Sequence, residues 1–195
     1  MDALERLALR PEASAASTLL LTDEFVVAYD VYPKAAVHLL ILPRGVRLPG
    51  PSALGAQHVP MIRKMRALAR WIDTQLHRQM PQLARLRAGF HAAPSMPQLH
   101  LHLLSLDFAS EALKNKKHYN SFATDFFVPP EFWETHLASV GSLTIDKHAE
   151  KAKLKRDMRC VLTGAPLKNM PELKAHLASP HYRQHLAALP AEPPC

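Results

Sequence analysis

The chain has 195 residues, 48% of them hydrophobic and 21% charged, a composition that supports one full apolar core with a small appendage and excludes a disordered polymer. Its formal net charge of +7 and sequence pI near 9.6 favour a polyanionic partner over a neutral one. Two cysteines, Cys160 and Cys195, exclude a disulfide framework and leave Cys160 as a free thiol or a metal ligand.

In chain order, residues 1–7 lack the basic-then-apolar order of a secretory signal. No apolar run approaches membrane-spanning length, so an intracellular, soluble chain with no membrane partner is expected. Residues 18–21 and 25–29 flank the turn-like Thr22-Asp23-Glu24, and the run 37–42 stops at Pro43. These read as consecutive antiparallel strands. Pro49, Gly50, Pro51 and Ser52 form a loop. Over 57–79, Val59, Ile62, Met65, Leu68, Ala69, Ile72 and Leu76 recur at three- and four-residue spacing, which predicts a long amphipathic helix with Arg63, Lys64, Arg66 and Arg70 as its solvated face. The segment 87–91 and a histidine-bearing strand follow, so the sheet has its helices segregated from it, an α+β arrangement.

The histidine strand is Pro97-Gln98-Leu99-His100-Leu101-His102-Leu103-Leu104-Ser105-Leu106. A period of two puts Gln98, His100 and His102 on one face and leucines on the other. A polar row opposite leucines is costly to bury unless it is hydrogen-bonded or faces a cleft, and two imidazoles on a rigid strand make a reaction site.

At Pro129-Pro130 the character of the chain changes. Pro130 suits a helix start, Glu131 the first turn, and Phe132, Trp133, Leu137 and Val140 form an apolar stripe ending at Gly141. A second module is expected over 129–189, after a first domain over 1–128. Within it Lys147, Lys151, Lys153, Lys155, Arg156 and Arg159 outnumber Asp146, Glu150 and Asp157, a stretch that serves either as a solvated helix face or to neutralise phosphates. No internal repeat is present, and the Pro-rich 190–195 is expected to be a disordered tail.

Three ordered motifs resemble the aprataxin branch of the histidine-triad superfamily. One is Asp30-Val31-Tyr32-Pro33-Lys34-Ala35 followed by His38-Leu39-Leu40-Ile41-Leu42-Pro43. The next is His91-Ala92-Ala93-Pro94-Ser95-Met96 leading into the histidine strand and Asp107-Phe108. The last is Leu113-Lys114-Asn115-Lys116-Lys117-His118-Tyr119-Asn120-Ser121-Phe122. The resemblance implies the histidine-triad fold, an antiparallel sheet with helices, carrying a small C-terminal zinc-finger-like module.

It also implies roles. His100, in the middle of the motif, is the nucleophile, and an imidazole with a pKa near ambient suits attack on phosphorus and a covalent phosphoramidate. His102 contacts the phosphate and helps the leaving oxygen depart, and Ser95 contacts the phosphate. Gln98 stands where the family has its first histidine; glutamine preserves a hydrogen bond and cannot titrate. Asp30, by itself a turn-former, accepts from ribose hydroxyls. His38, by itself a core histidine, supports His100 or the phosphate. Lys34 and Lys117 lie around the adenylate and the DNA 5′ end, and His91 lies close to the same pocket.

In the finger-like part, Cys160 and Asn169-Met170-Pro171-Glu172-Leu173-Lys174-Ala175-His176-Leu177 match, while Thr163 and Pro180 replace expected ligands. Cys160, His176 and His181 are the candidate zinc donors, and a structural zinc stands against a finger that has lost its metal and is held by its core. The implied function is DNA repair in the nucleus, hydrolysing the AMP-5′-phosphate linkage of abortively ligated DNA without a catalytic metal, with nicked or adenylated DNA and AMP as ligands. A general nucleotide hydrolase acting on small adenylates and an inactive nucleic-acid-binding module remain as alternatives.

Overall fold

Six antiparallel strands, β1 (Thr18–Leu21), β2 (Phe25–Tyr29), β3 (His38–Pro43), β4 (Leu86–His91), β5 (Leu101–Ser105) and β6 (Phe127–Val128), form one sheet in the order β1-β2-β3-β5-β4-β6. The computed structural model describes residues 2–189; the 190–195 tail, with Cys195, lies outside them. Branched and aromatic residues populate the strands, and the β1–β2 turn is tied by Thr22 Oγ1, which accepts from the Phe25 N–H at 2.9 Å.

The helix α2 (Val59–Gln79) covers one face, as its apolar spacing predicts. Its Ile62, Met65, Ala69 and Ile72 meet Val27, Leu39, Ile41, Leu101 and Leu103 in one buried cluster. The same cluster includes Trp133 and Leu137 of α4 (Pro130–Val140). Trp133 stacks on Phe90 at 4.7 Å and 15°, and buried Glu134 accepts from Arg66 Nε at 2.7 Å. The sequence places α4 at the start of the second module; the structure packs it against the main core through Trp133 and Leu137, while Phe132 and Val140 of the expected apolar stripe are exposed. Gly141, at φ 86°, ends it in the left-handed region.

Two separate bodies cover the opposite face. At the β2–β3 end sits α1 (Ala3–Leu9), started by a capping box between Asp2 and Glu5, with Leu4, Leu7 and Ala8 against Val26, Ala28, Leu40 and Leu42. At the other end α3 (Lys116–Ala123) and the C-terminal elements share a core. These are the short hairpin β7 (Met158–Arg159) and β8 (Pro166–Leu167), α6 (Met170–Ala178) and α7 (Pro180–Ala187), while α5 (Lys147–Lys153) buries none of its residues. Gly89 lets Phe127 lie across β4, since a Cβ there would meet that ring at 2.5 Å. Among the described residues no helix is long and apolar enough to cross a membrane.

Candidate active site

The polar row of β5 emerges between these two bodies. His102 of β5 and His100, one residue before the strand begins at Leu101, are joined there by His38 from β3 and His91 from the end of β4. His102 lies 4.3 Å from His91, 4.7 Å from His100 and 5.2 Å from His38, measured between ring centroids. Antiparallel pairing of Leu40 with His102 and of Gly89 with His102 sets this convergence.

Hydrogen bonds fix where each proton sits. His100 Nδ1 is 2.8 Å from the Gln98 carbonyl; a carbonyl only accepts, so Nδ1 carries the hydrogen and Nε2 the lone pair. His38 Nδ1 accepts from the Lys34 backbone N–H at 3.1 Å. The neutral His38 therefore holds its proton on Nε2, which lies 2.9 Å from His102 Nδ1 and 3.5 Å from Asp30 Oδ2. His102 in turn carries its proton on Nε2, a buried atom with no protein partner. The relay ends in a buried donor with no protein acceptor.

All four rings are held neutral. Burial pushes His38 down to about 4, partly opposed by the Asp30 carboxylate, and burial likewise lowers His91, His100 and His102. Asp30, His38 and His102 form the trio of metal-type ligands whose atoms lie within 4.8 Å of one another among the described residues. With the His38 proton directed at His102, His38 and His102 form a hydrogen-bond relay, and the Asp30 carboxylate lies beside the same His38 Nε2. Asp30 Oδ1 accepts from the Tyr32 N–H at 2.8 Å, which orients the carboxylate.

These groups line an open cavity of about 1210 Å³. Asp30, Lys34, His38, His91, Ser95, His100, His102 and Lys117 all border it, so eight side chains selected from the sequence share one site. Gln98 does not border it. Its Oε1 accepts from the Leu48 N–H and its Nε2 donates to the Val46 carbonyl, so its expected place among the substrate-binding side chains gives way to a role in holding the 46–48 loop. The cavity also takes Ala3, Leu4 and Leu7 of α1 at one end and His148, Lys151 and Lys155 at the other. The sequence reading missed the α1 wall, although the Asp2/Glu5 box followed by Leu7 and Ala8 signals a helix there.

Among the described residues, Cys160, His176 and His181 do not bring their donor atoms within 4.8 Å of one another. Cys160 is buried, His176 sits at the end of α6, and His181 is exposed on α7 with Nε2 3.2 Å from His185 Nε2.

The family described as scavenger mRNA decapping enzyme C-terminal binding matches residues 3–118, and a C2HE/C2H2/C2HC zinc-binding finger matches 123–182. Aprataxin of Danio rerio is 40% identical over 157 residues, 80% of this chain and 47% of that protein. An aprataxin-like protein of Schizosaccharomyces pombe is 31% identical over 170 residues, 80% of this chain and 70% of that one. The Arabidopsis thaliana protein named transcription factor bHLH140 is 36% identical over 92% of this chain and 19% of its own length. The chain thus spans less than half the length of the zebrafish and Arabidopsis relatives. A crystal structure of the aprataxin ortholog Hnt3 in complex with DNA superposes with TM-score 0.74 at 28% identity, covering 95% of this chain and 96% of that one.

Proposed function

Because the chain belongs to the aprataxin family of histidine-triad proteins, we propose that it hydrolyses the AMP-5′-phosphate linkage of 5′-adenylated DNA, acting in the nucleus. The Nε2 lone pair of His100 attacks the adenylate phosphorus. An N–P bond forms, the bridging P–O bond breaks, and its electron pair leaves with the DNA 5′-phosphate. The resulting imidazolium keeps its Nδ1–H on the Gln98 carbonyl, which stabilises the positive charge until water attacks the phosphorus and the N–P pair returns to Nε2, releasing AMP. His102 Nε2–H donates to a phosphate oxygen as charge develops there. Asp30, anchored through Oδ1, presents Oδ2 to ribose hydroxyls, while Lys34, Lys117, His91 and Ser95 surround the phosphates.

The observation that carries this reading is a neutral, tautomer-fixed His100 in a cavity that runs on into Lys151 and Lys155 of the basic module. A small adenylate needs no such extension, whereas the Hnt3 relative is solved with DNA. Turnover of adenylated nicked DNA should fall by at least ~10³-fold in His100→Ala with DNA binding retained, and an acid-labile AMP adduct on His100 should be trapped in the wild type. Turnover confined to small adenylates would favour the general hydrolase, and binding with no turnover the inactive module.

A further inference from the structure

The finger retains two of the four donors that a tetrahedral zinc takes. Cys160 is 2% exposed, and the His176 Nε2 is buried without a hydrogen-bond partner. At the other two positions the donors are absent or otherwise engaged. The Thr163 N–H donates to Cys160 Sγ at 3.4 Å, as in a ligand turn, but its hydroxyl accepts from the Ala165 N–H. Pro180, the first residue of α7, offers no donor, and Ser179 caps that helix by accepting from the Tyr182 N–H. His181 faces solvent beside His185.

Other groups occupy the role of the metal. Tyr182 is fully buried, with its ring edge-on to His176 at 5.3 Å and its hydroxyl donating to the Leu106 carbonyl at 2.6 Å. Tyr119, also fully buried, donates to the Arg159 carbonyl and accepts from the Val161 N–H, both at 3.1 Å. Its hydroxyl thus brackets Cys160 from both sides. Met158, Leu167 and Leu173 join Leu104, Leu106, Phe108 and Phe127 in one cluster. A free-standing module of this size needs metal or disulfides because its own core is too small. This one shares a core with the main sheet.

We infer that the finger of this chain folds and docks without zinc, held by the shared apolar core and the two tyrosine hydroxyls. Full-length protein purified without added zinc should carry well below one zinc per chain in the finger. Its unfolding temperature should be unchanged by chelator and by an equivalent of zinc. Tyr182→Phe should lower that temperature by about 2–4 °C. The zinc content of Cys160→Ala locates any metal found. Zinc retained in that variant lies outside the finger and supports the inference. About one zinc per chain that is lost in Cys160→Ala, with an unfolding temperature that chelator lowers, overturns it.

Discussion

Gln98 has φ of 92°, a backbone region that disfavours any residue with a Cβ. The strain is held by the two hydrogen bonds its side chain makes to the 46–48 loop, and in this conformation its carbonyl meets His100 Nδ1. The residue therefore orients the nucleophile through its backbone and secures the loop through its side chain. Gln98→Ala should destabilise the protein by about 1–3 kcal/mol, because the buried Leu48 N–H loses its acceptor. The acid limb of the pH–rate profile should stay where it is, since the removed amide neither titrates nor borders the cavity. Urea unfolding and a pH–rate series measure the two, and a displaced acid limb would return Gln98 to the substrate-binding groups. From the sequence alone the alternation of Gln98, His100 and His102 reads as one face of one strand. The histidines share the cavity; Gln98 escapes because its positive φ breaks the alternation before the strand begins at Leu101.

Among elements, α3 joins the histidines to the basic module. Its Phe122 packs edge-on against His38 and His102 at 5.3 Å, while Asn120, 1% exposed, donates through Nδ2 to the carbonyls of Leu154 and Arg156 at 3.2 and 2.7 Å. Those bonds fix the end of α5 beside the cavity. The ion pairs of Asp125 with Lys153 and Arg156 lie nearer solvent and hold less tightly. Asn120→Ala should reduce kcat/KM on adenylated DNA by about tenfold, mostly in KM, the equivalent of ~1.4 kcal/mol. Turnover of a small adenylate should change little in the same variant. Equal losses on both substrates would reduce Asn120 to a folding role. The basic run 147–159 was legible as charge, but its place beside the histidines depends on a buried amide whose partners lie 34 and 36 residues away in sequence. The α1 wall was hidden for a related reason: a short helix with three core residues becomes visible only when β2 and β3 are there to receive them.

For the whole molecule, the two coverings of the sheet are not detachable. Cutting after Val128 would remove Trp133 and Leu137 from one core and Met158, Leu173 and Tyr182 from the other, so the module's contribution to DNA binding is better read from Lys151→Ala and Lys155→Ala in the full chain. The open face between the coverings has a different consequence, because it holds four imidazoles that folding keeps neutral. His38 is pushed down to about 4, and His91, His100 and His102 are lowered in the same direction, all chiefly by burial. In the unfolded chain these groups titrate near 6.5. Below that pH the unfolded state binds more protons than the folded one, so stability is full above about 6.5 and is lost as the pH falls toward 4. Asp125 and Asp146, lowered by their own partners, lose their contribution only below the ordinary carboxylate range. The urea midpoint should therefore fall between pH 7 and pH 5. His91 is ringed by Phe122, Phe126 and Phe127 at 4.7 to 5.9 Å, a setting that accepts His91→Phe, and that variant should show a shallower dependence over the same interval. An unchanged slope would mean that the His91 ring is charged in the folded state, against the apolar walls that surround it.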